Sequence, residues 1–132
     1  MTVVVDSSVV GAAPWVTAHS DNGRSRCWSR LPLAAPHLTL VEAANVLRRS
    51  ALAVAISADV ASLAHADLVS LPVELFPYTV YADRVWELRA IITAYDAWYD
   101  ALAETLSARW ATLDMRLSRA TGTRCKVTLP PA

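Results

Sequence analysis

The sequence predicts an α/β fold in which a mainly parallel central β-sheet is flanked by α-helices. Short apolar segments alternate along the chain with longer segments of helical periodicity, and this alternation is typical of a parallel sheet. The first apolar segment is Val3-Val4-Val5, and an unbroken run of β-branched residues favours a strand that is buried on both faces. With 132 residues the chain has the length of one ordinary domain, so we expect residues 1–132 to form a single domain.

Composition excludes several classes of protein. Hydrophobic residues make up 55% of the chain and only 3 residues are glycine, which excludes a disordered chain. No apolar run approaches the roughly 18 residues of a membrane helix, so no membrane association is expected. Cys27 and Cys125 lack the spacing of a metal site and are too few for a disulfide framework. We therefore expect free thiols and a reducing, cytoplasmic setting.

The first half of the chain is predicted to contain one strand and three helices. Ser7 or Ser8 can cap the first helix, and Pro14 disturbs its middle. The polar segment 19–30 is predicted to be a loop, and the apolar, proline-punctuated segment 31–36 a short connection. The predicted elements are a strand at 2–6 and helices at about 8–18, 37–50 and 51–67. The last of these helices is apolar on most sides, so we expect it to pack on both the domain and a partner.

In the second half, short strands again alternate with helices. A strand is predicted within 71–78, between two prolines, and Thr79 can cap the helix that follows. Apolar residues at helical spacing predict the buried face of that helix: Tyr81, Val85, Leu88 and Ile92. The remaining predicted elements are a helix from 93 to about 107, a strand at 109–113, a short helix at about 115–121 and a strand at 125–129.

Four acidic residues occupy positions that the predicted fold brings toward one edge of the sheet. Asp6 and Asp114 end strands, Asp96 opens a helix, and Glu42 lies between core-facing residues of a helix. The carboxyl edge of a parallel sheet is where open α/β folds bind their ligands. Like charges in one crevice raise one another's pKa, and a cation such as Mg²⁺, which prefers carboxylate and water oxygens, relieves that repulsion. Separate helix caps and surface charges are the alternative, but the recurrence of four such positions favours a metal site.

Four stretches of the chain resemble the PIN-domain ribonucleases of the VapC toxin family, in the order in which the family has them. They are Val-Val-Asp-Ser-Ser at 4–8, Glu-Ala-Ala-Asn-Val-Leu-Arg-Arg at 42–49, Tyr-Asp-Ala-Trp-Tyr at 95–99 followed by Ala-Leu-Ala-Glu at 101–104, and Thr-Leu-Asp-Met-Arg-Leu at 112–117. Together these stretches span nearly the whole length of the chain, and the resemblance rests on their combination.

The resemblance implies the toxin of a type II toxin-antitoxin system, an endoribonuclease that uses Mg²⁺ or Mn²⁺ to cleave structured RNA such as tRNA or rRNA. A metal-activated water would attack the phosphodiester. The resemblance also implies inhibition by a VapB-like antitoxin, a homodimer and a higher toxin-antitoxin complex. Asp6 and Asp96 match the family's metal-binding aspartates, and Glu42 and Asp114 match its remaining acidic positions. Residues that match supporting positions are Ser8, Asn45 and Thr112.

Basic and aromatic residues are candidates for binding the RNA. The formal net charge is zero, which argues against a global positive field but leaves room for local patches. Trp15 and Trp28 either stack on unpaired bases or pack in the core or a dimer interface. Five arginines either bind the RNA backbone, contact the antitoxin or lie on a solvated surface: Arg24, Arg26, Arg30, Arg48 and Arg49.

Two alternatives stay open in the sequence. Asp100 lies four residues after Asp96, on the same helical face, and it either extends the acidic cluster or is a simple exposed charge. The chain as a whole could instead be a catalytically inactive PIN-fold interaction module. The presence of an acidic residue at all four positions argues against that alternative.

Overall fold

A parallel β-sheet forms the centre of the computed structural model, which describes residues 1–10, 31–119, 122, 124 and 126–128. Within these residues five strands pair in parallel, in the order β3-β2-β1-β4-β5. The strands are β1 (Val3–Val5), β2 (Leu33–Pro36), β3 (Val73–Phe76), β4 (Arg109–Ala111) and β5 (Lys126–Thr128). The predicted α/β, PIN-like fold with a parallel sheet is confirmed.

Helices connect the strands and cover both faces of the sheet. Residues 7–10 are helical and follow β1 directly. The longer helices are α1 (Thr39–Leu52), α2 (Ala58–Val69), α3 (Ala82–Glu87) and α4 (Ala94–Leu106). Short 3₁₀ helices lie at Thr79–Tyr81 and Leu117–Arg119. In the part of the chain that is described, no helix combines the length and the apolar character that a membrane span requires.

The central strand β1 is buried on both faces, as its three valines predict. Val4 packs in the core on the side of α4, with Leu102 and Trp110. Val3 and Val5 point to the opposite face and pack with the buried residues of α1 and α2. Because successive residues of a strand face opposite sides, this short segment contributes to both hydrophobic cores.

The prediction that residues 31–36 form only a connection was wrong, because Leu33–Pro36 is strand β2. Alanine and proline are poor strand formers, so local propensity gave no signal. Burial between β1 and β3 overrides that propensity, and Ala34 and Ala35 are completely enclosed. The proline is tolerated because it is the last residue of the strand.

The predicted boundary between the second and third helices was also wrong. Helix α1 continues to Leu52, and α2 begins only at Ala58. The intervening turn places Val54 at a φ of 56°, a left-handed conformation that glycine usually occupies. Ser57 then caps α2, since its hydroxyl accepts a hydrogen bond from the Val60 N–H at 3.1 Å. No glycine or proline marks this turn in the sequence, which is why periodicity alone misplaced it.

Smaller differences concern the second half of the chain, and some predicted segments lie outside the residues that the structure describes. Thr79 does not cap a helix but begins a 3₁₀ helix, and within the predicted helix at 115–121 only Leu117–Arg119 is described as helical, also as 3₁₀. The buried face of Tyr81, Val85 and Leu88 is confirmed. Most of the predicted helix at 8–18, the loop at 19–30 and both cysteines lie outside the described residues.

One face of α2 is buried, and the other carries exposed apolar side chains. A leucine on each face therefore offers a matched pair of positions for mutation. Leu68 is 2% exposed and Leu63 is 69% exposed on the same helix. We expect Leu68→Ala to lower the free energy of unfolding by about 2–5 kcal/mol, because it removes buried methyl groups and leaves a cavity. Leu63→Ala should change it by less than about 0.5 kcal/mol. Urea unfolding of both variants checks the prediction. Equal losses of unfolding free energy would contradict the burial of Leu68 and the exposure of Leu63.

Candidate active site

Asp6 follows β1 at the carboxyl edge of the sheet, and its carboxylate is held by three donors. Oδ1 accepts hydrogen bonds from the backbone N–H of Ser8 at 3.0 Å and of Val9 at 3.3 Å, and from the Ser8 hydroxyl. The side chain is only 8% exposed. Asp6 itself therefore caps the helical turn 7–10, and the prediction that Ser7 or Ser8 is the cap was wrong.

The two hydroxyl residues expected to support the site fix the backbone around Asp6 and Asp114. The Ser8 Oγ also accepts a hydrogen bond from the Leu113 N–H at 3.0 Å, which links the end of β1 to the segment after β4. Thr112 is completely buried, and its Oγ1 accepts from the Asp114 N–H at 3.0 Å. Asp114 lies three residues beyond the last residue of β4 rather than at the strand end as predicted. Its position is therefore set by these hydroxyl contacts.

Glu42 lies in the first turn of α1 and is oriented by a tyrosine from α4. The Tyr99 hydroxyl donates to Glu42 Oε1 at 3.2 Å and lies 2.7 Å from the Thr39 hydroxyl. The Tyr99 ring stacks on Trp110, with 5.7 Å between ring centroids, and is almost completely buried. Sequence analysis assigned no role to Tyr99, although its place three residues after Asp96 puts it on the same side of α4.

The carboxylates share one electrostatic environment. Burial raises the pKa of Glu42, the charges of Asp6 and Asp96 raise it further, and the hydrogen bond from Tyr99 opposes the rise. Burial also raises the pKa of Asp96, and the charges of Asp114 and Asp6 add to that rise. Each acidic position is thus coupled to others that are distant in the sequence, as expected of groups facing one crevice.

Asp114 differs from the other acidic positions because an arginine of the same chain binds it. Arg116 Nε and a terminal guanidinium nitrogen contact the two Asp114 oxygens at 3.0 and 2.6 Å. These hydrogen bonds lower the pKa of Asp114. The Arg116 side chain is nevertheless 89% exposed, so the pair lies at the rim of the site. Arg116 lies within a stretch that resembles the family, but sequence analysis gave it no role.

The donor set is compatible with a divalent cation. Carboxylate oxygens are the preferred protein ligands of Mg²⁺, which is usually bound by one or two carboxylates together with water and substrate phosphate. Across the described ranges, no three acidic, histidine or cysteine side chains converge closely enough to hold one ion by themselves. Burial is the main cause of the raised pKa of Glu42 and Asp96, and mutual repulsion adds to it; a shared cation would relieve that repulsion.

The other predicted residues are more dispersed. Asn45 is exposed on α1, and Arg48 and Arg49 are exposed toward the end of that helix. The roles proposed for these three residues stay predictions. Five predicted RNA contacts lie outside the described residues: Trp15, Arg24, Arg26, Trp28 and Arg30.

Asp100 is fully buried, which excludes its interpretation as an exposed charge. It hydrogen-bonds Glu104, one turn further along α4. Arg84 of α3 binds the same glutamate through Nε at 2.8 Å and a terminal nitrogen at 2.9 Å. These contacts tie Asp100 to the ion pair that joins α3 to α4.

Comparisons of sequence and structure agree on one class of protein. No protein-family model matches the chain. In structure it is similar to PAE2754 from Pyrobaculum aerophilum, with a TM-score of 0.67 and 25% identity over 96% of this chain and 84% of that one. It also has the fold of VapC20 from Mycobacterium tuberculosis, with a TM-score of 0.65 and 20% identity over 98% and 99%. VapBC2 from Rickettsia felis gives a TM-score of 0.65 at 13% identity over 99% and 100%. The class is therefore the PIN-like fold of VapC proteins.

Sequence identity defines the family. The chain is 36% identical over 124 residues to Ribonuclease VapC9 of Mycobacterium tuberculosis, a match that covers 93% of this chain and 98% of the relative. It is also 36% identical over 131 residues to Ribonuclease VapC1 of the same species, which covers 95% and 98%. The chain belongs to the VapC ribonuclease family.

The opposite pKa shifts of Asp96 and Asp114 predict opposite effects of neutralising them. In the presence of EDTA, we expect Asp96→Asn to raise the free energy of unfolding at neutral pH, because ionised Asp96 is disfavoured in the folded state. The gain should disappear as the pH falls below the ordinary carboxyl pKa of 3.8, where Asp96 is protonated in both states. Urea unfolding between acid and neutral pH measures the effect.

Asp114→Asn is the matched control for that measurement. The pKa of Asp114 is lowered by Arg116, so its carboxylate stabilises the fold above the ordinary pKa and loses this contribution as the pH falls through the lowered value. The variant should therefore be less stable than the wild type at neutral pH. Destabilisation by Asp96→Asn at neutral pH would contradict the inference that burial and neighbouring carboxylates disfavour ionised Asp96 in the folded state.

Proposed function

We propose that this chain is the toxin of a type II toxin-antitoxin system and acts as a metal-dependent endoribonuclease on structured RNA in the cytoplasm. The observation that carries the proposal is the coupling of Glu42 and Asp96 to Asp6, which gathers like charges at the carboxyl edge of a parallel sheet. Membership of a family whose relatives are named ribonucleases supports the same activity. Cleavage of tRNA or rRNA is the proposed reaction.

The four acidic residues, Asp6, Glu42, Asp96 and Asp114, would hold the Mg²⁺ or Mn²⁺ together with water and the RNA phosphate. A divalent cation held there would supply a polarised water for attack on phosphorus and would neutralise charge on the phosphoryl oxygens. Asp6 is kept in one orientation by the Ser8 hydroxyl and two backbone N–H groups. This fixed orientation removes the need for that side chain to reorganise when ligands bind.

Glu42 is also the proposed acceptor of the proton that the attacking water releases. Burial raises the pKa of this carboxyl group, and the charges of Asp6 and Asp96 add to the rise; a bound cation would oppose it. The Tyr99 hydroxyl donates to Oε1, and the Ser7 side chain also hydrogen-bonds this carboxylate, so two hydroxyl groups orient it. Thr39 stands behind Tyr99 at hydrogen-bonding distance, so the carboxylate is oriented from within the fold.

A VapB-like antitoxin, a toxin homodimer and a higher toxin-antitoxin complex are the proposed protein partners. The structural neighbour from Rickettsia felis is a VapBC protein bound to a promoter DNA fragment, which supports an antitoxin partner. VapC20 is a toxin that cleaves the sarcin-ricin loop, which supports structured RNA as the substrate class. Exposed apolar residues of α2, including Leu63 and Val69, offer surface for such contacts.

Cleavage of an in vitro transcribed tRNA and of a sarcin-ricin loop hairpin tests the proposal. We expect cleavage with Mg²⁺ or Mn²⁺, none with EDTA, and loss of more than about 100-fold in Asp6→Asn and Asp96→Asn, since outer-shell changes alone cost about 10–100-fold. The product should carry a 5′-phosphate, because water is the nucleophile. Asp59→Asn, an exposed carboxylate on α2, is the control that should retain activity.

Four results would contradict the proposal. Cleavage in EDTA, or full activity of the aspartate variants, would contradict the proposed metal site. Cyclic phosphate ends would show attack by the ribose 2′-hydroxyl instead of water. Absence of cleavage of cellular RNA after induced expression, with antitoxin binding retained, would favour the catalytically inactive interaction module.

A further inference from the structure

Three arginines line a cavity that opens beside two of the acidic residues. The cavity has a volume of about 690 Å³, and Asp96 and Asp114 form part of its wall. Arg89, Arg116 and Arg119 line it as well, and all three side chains are exposed. They come from two distant segments of the chain, the turns after α3 and the region after β4, so only the fold brings them together.

The local charge of this cavity differs from that of the whole protein. Its other lining residues are uncharged: Ala90, Ile91, Ile92, Thr93 and Leu117. Three arginines against two aspartates therefore give the wall a net positive charge of one, although the complete chain is neutral. A phosphate that approaches the carboxylates would meet guanidinium groups on this side.

The fold restrains the Arg116 guanidinium before any ligand binds and places Arg119 beside it. Arg116 is held by both oxygens of Asp114, and its 89% exposure keeps further N–H donors accessible. The Arg119 N–H donates to the Arg116 carbonyl at 3.2 Å, and residues three apart in a 3₁₀ turn lie on the same side. Restrained guanidinium groups lose less conformational freedom when they bind an anion.

Arg89 is restrained by a different group. One terminal nitrogen donates to the Trp86 carbonyl at 2.7 Å. The guanidinium carbon lies 4.9 Å from the centroid of the Trp86 ring, within the range of a cation–π interaction. Arg89 is thus held at the cavity without an acidic partner among the contacts described for it, and its positive charge remains available to a phosphate.

We propose that Arg89, Arg116 and Arg119 bind the phosphate backbone of the RNA where it leaves the carboxylate cluster. Arginine matches the geometry of phosphate oxygens and can bind them through two hydrogen bonds. This assignment rests on the proposed ribonuclease function and names the surface over which the substrate runs. It differs from the sequence prediction, which placed RNA contacts at Arg24, Arg26, Arg30, Arg48 and Arg49. Of these only Arg48 and Arg49 lie in the described part of the chain, and both are absent from the wall of this cavity.

Salt-dependent RNA binding tests the assignment. The parent is Asp6→Asn, which prevents cleavage and keeps a capping side chain. The probe is a fluorescein-labelled tRNA transcript, and its affinity is measured by anisotropy over a range of KCl concentrations. Adding Arg89→Gln and Arg119→Gln should weaken binding and reduce the slope of log K against log salt by about 1.4–1.8, at about 0.7–0.9 per phosphate contact. Arg116 is left intact because its loss would also release Asp114.

The matched control removes two positive charges from the opposite edge of the sheet. Arg109 and Lys126 are register partners at the first residues of β4 and β5, and both are exposed. Arg109→Gln with Lys126→Gln in the same parent should leave the slope nearly unchanged. Equal melting temperatures show that all variants are folded.

The outcomes separate this assignment from the ribonuclease proposal. If the wild type cleaves RNA but the Arg89/Arg119 variant keeps the parent's affinity and slope, or the control loses as much, the arginine assignment is overturned and the nuclease stands. If the slope falls only in the Arg89/Arg119 variant while the wild type cleaves no RNA, the arginine surface stands and the nuclease proposal falls.

Discussion

The buried carboxylate of Asp6 is the interaction on which the candidate site depends. Asp6 ends the central strand, and a charge at that position is tolerated because three donors from the following turn satisfy it. Through Ser8 the same carboxylate is linked to the Leu113 N–H, just before Asp114. A single side chain therefore ends β1, begins the next helical turn and positions the segment that follows β4.

Neutral groups help to hold each of the remaining acidic residues, and Asp114 is bound by Arg116 as well. Tyr99 orients Glu42, Thr93 caps the helix that carries Asp96, and Thr112 holds the backbone of Asp114. Such contacts keep carboxylates in a shared crevice although their charges repel, and this repulsion contributes to the raised pKa of Glu42 and Asp96. The surrounding structure thus stabilises an arrangement that is unfavourable by itself, as is common at functional sites.

Local sequence signals predicted four of the five described strands. Three valines before an aspartate identified both β1 and the residue at its end, because burial and charge change abruptly there. Strand β2 was missed because alanine and proline carry no strand signal, and only its pairing with β1 and β3 reveals it. Tyr99, Arg89 and Arg119 were missed because their roles depend on residues that are distant in sequence. Tyr99 contacts Glu42, 57 positions away, and periodicity within one helix contains no information about such a contact.

The central proposal is that a divalent cation, bound together with water, is shared by carboxylates from the end of β1, α1, α4 and the segment after β4. Crystals grown with Mn²⁺ and measured at an anomalous wavelength test it most directly, since the ion is located without reference to activity. The account predicts an anomalous peak between Asp6 and Asp96, within reach of Glu42 or Asp114, that is lost in Asp6→Asn. A peak bound elsewhere on the chain, or an acidic edge without a peak at saturating Mn²⁺, would contradict it.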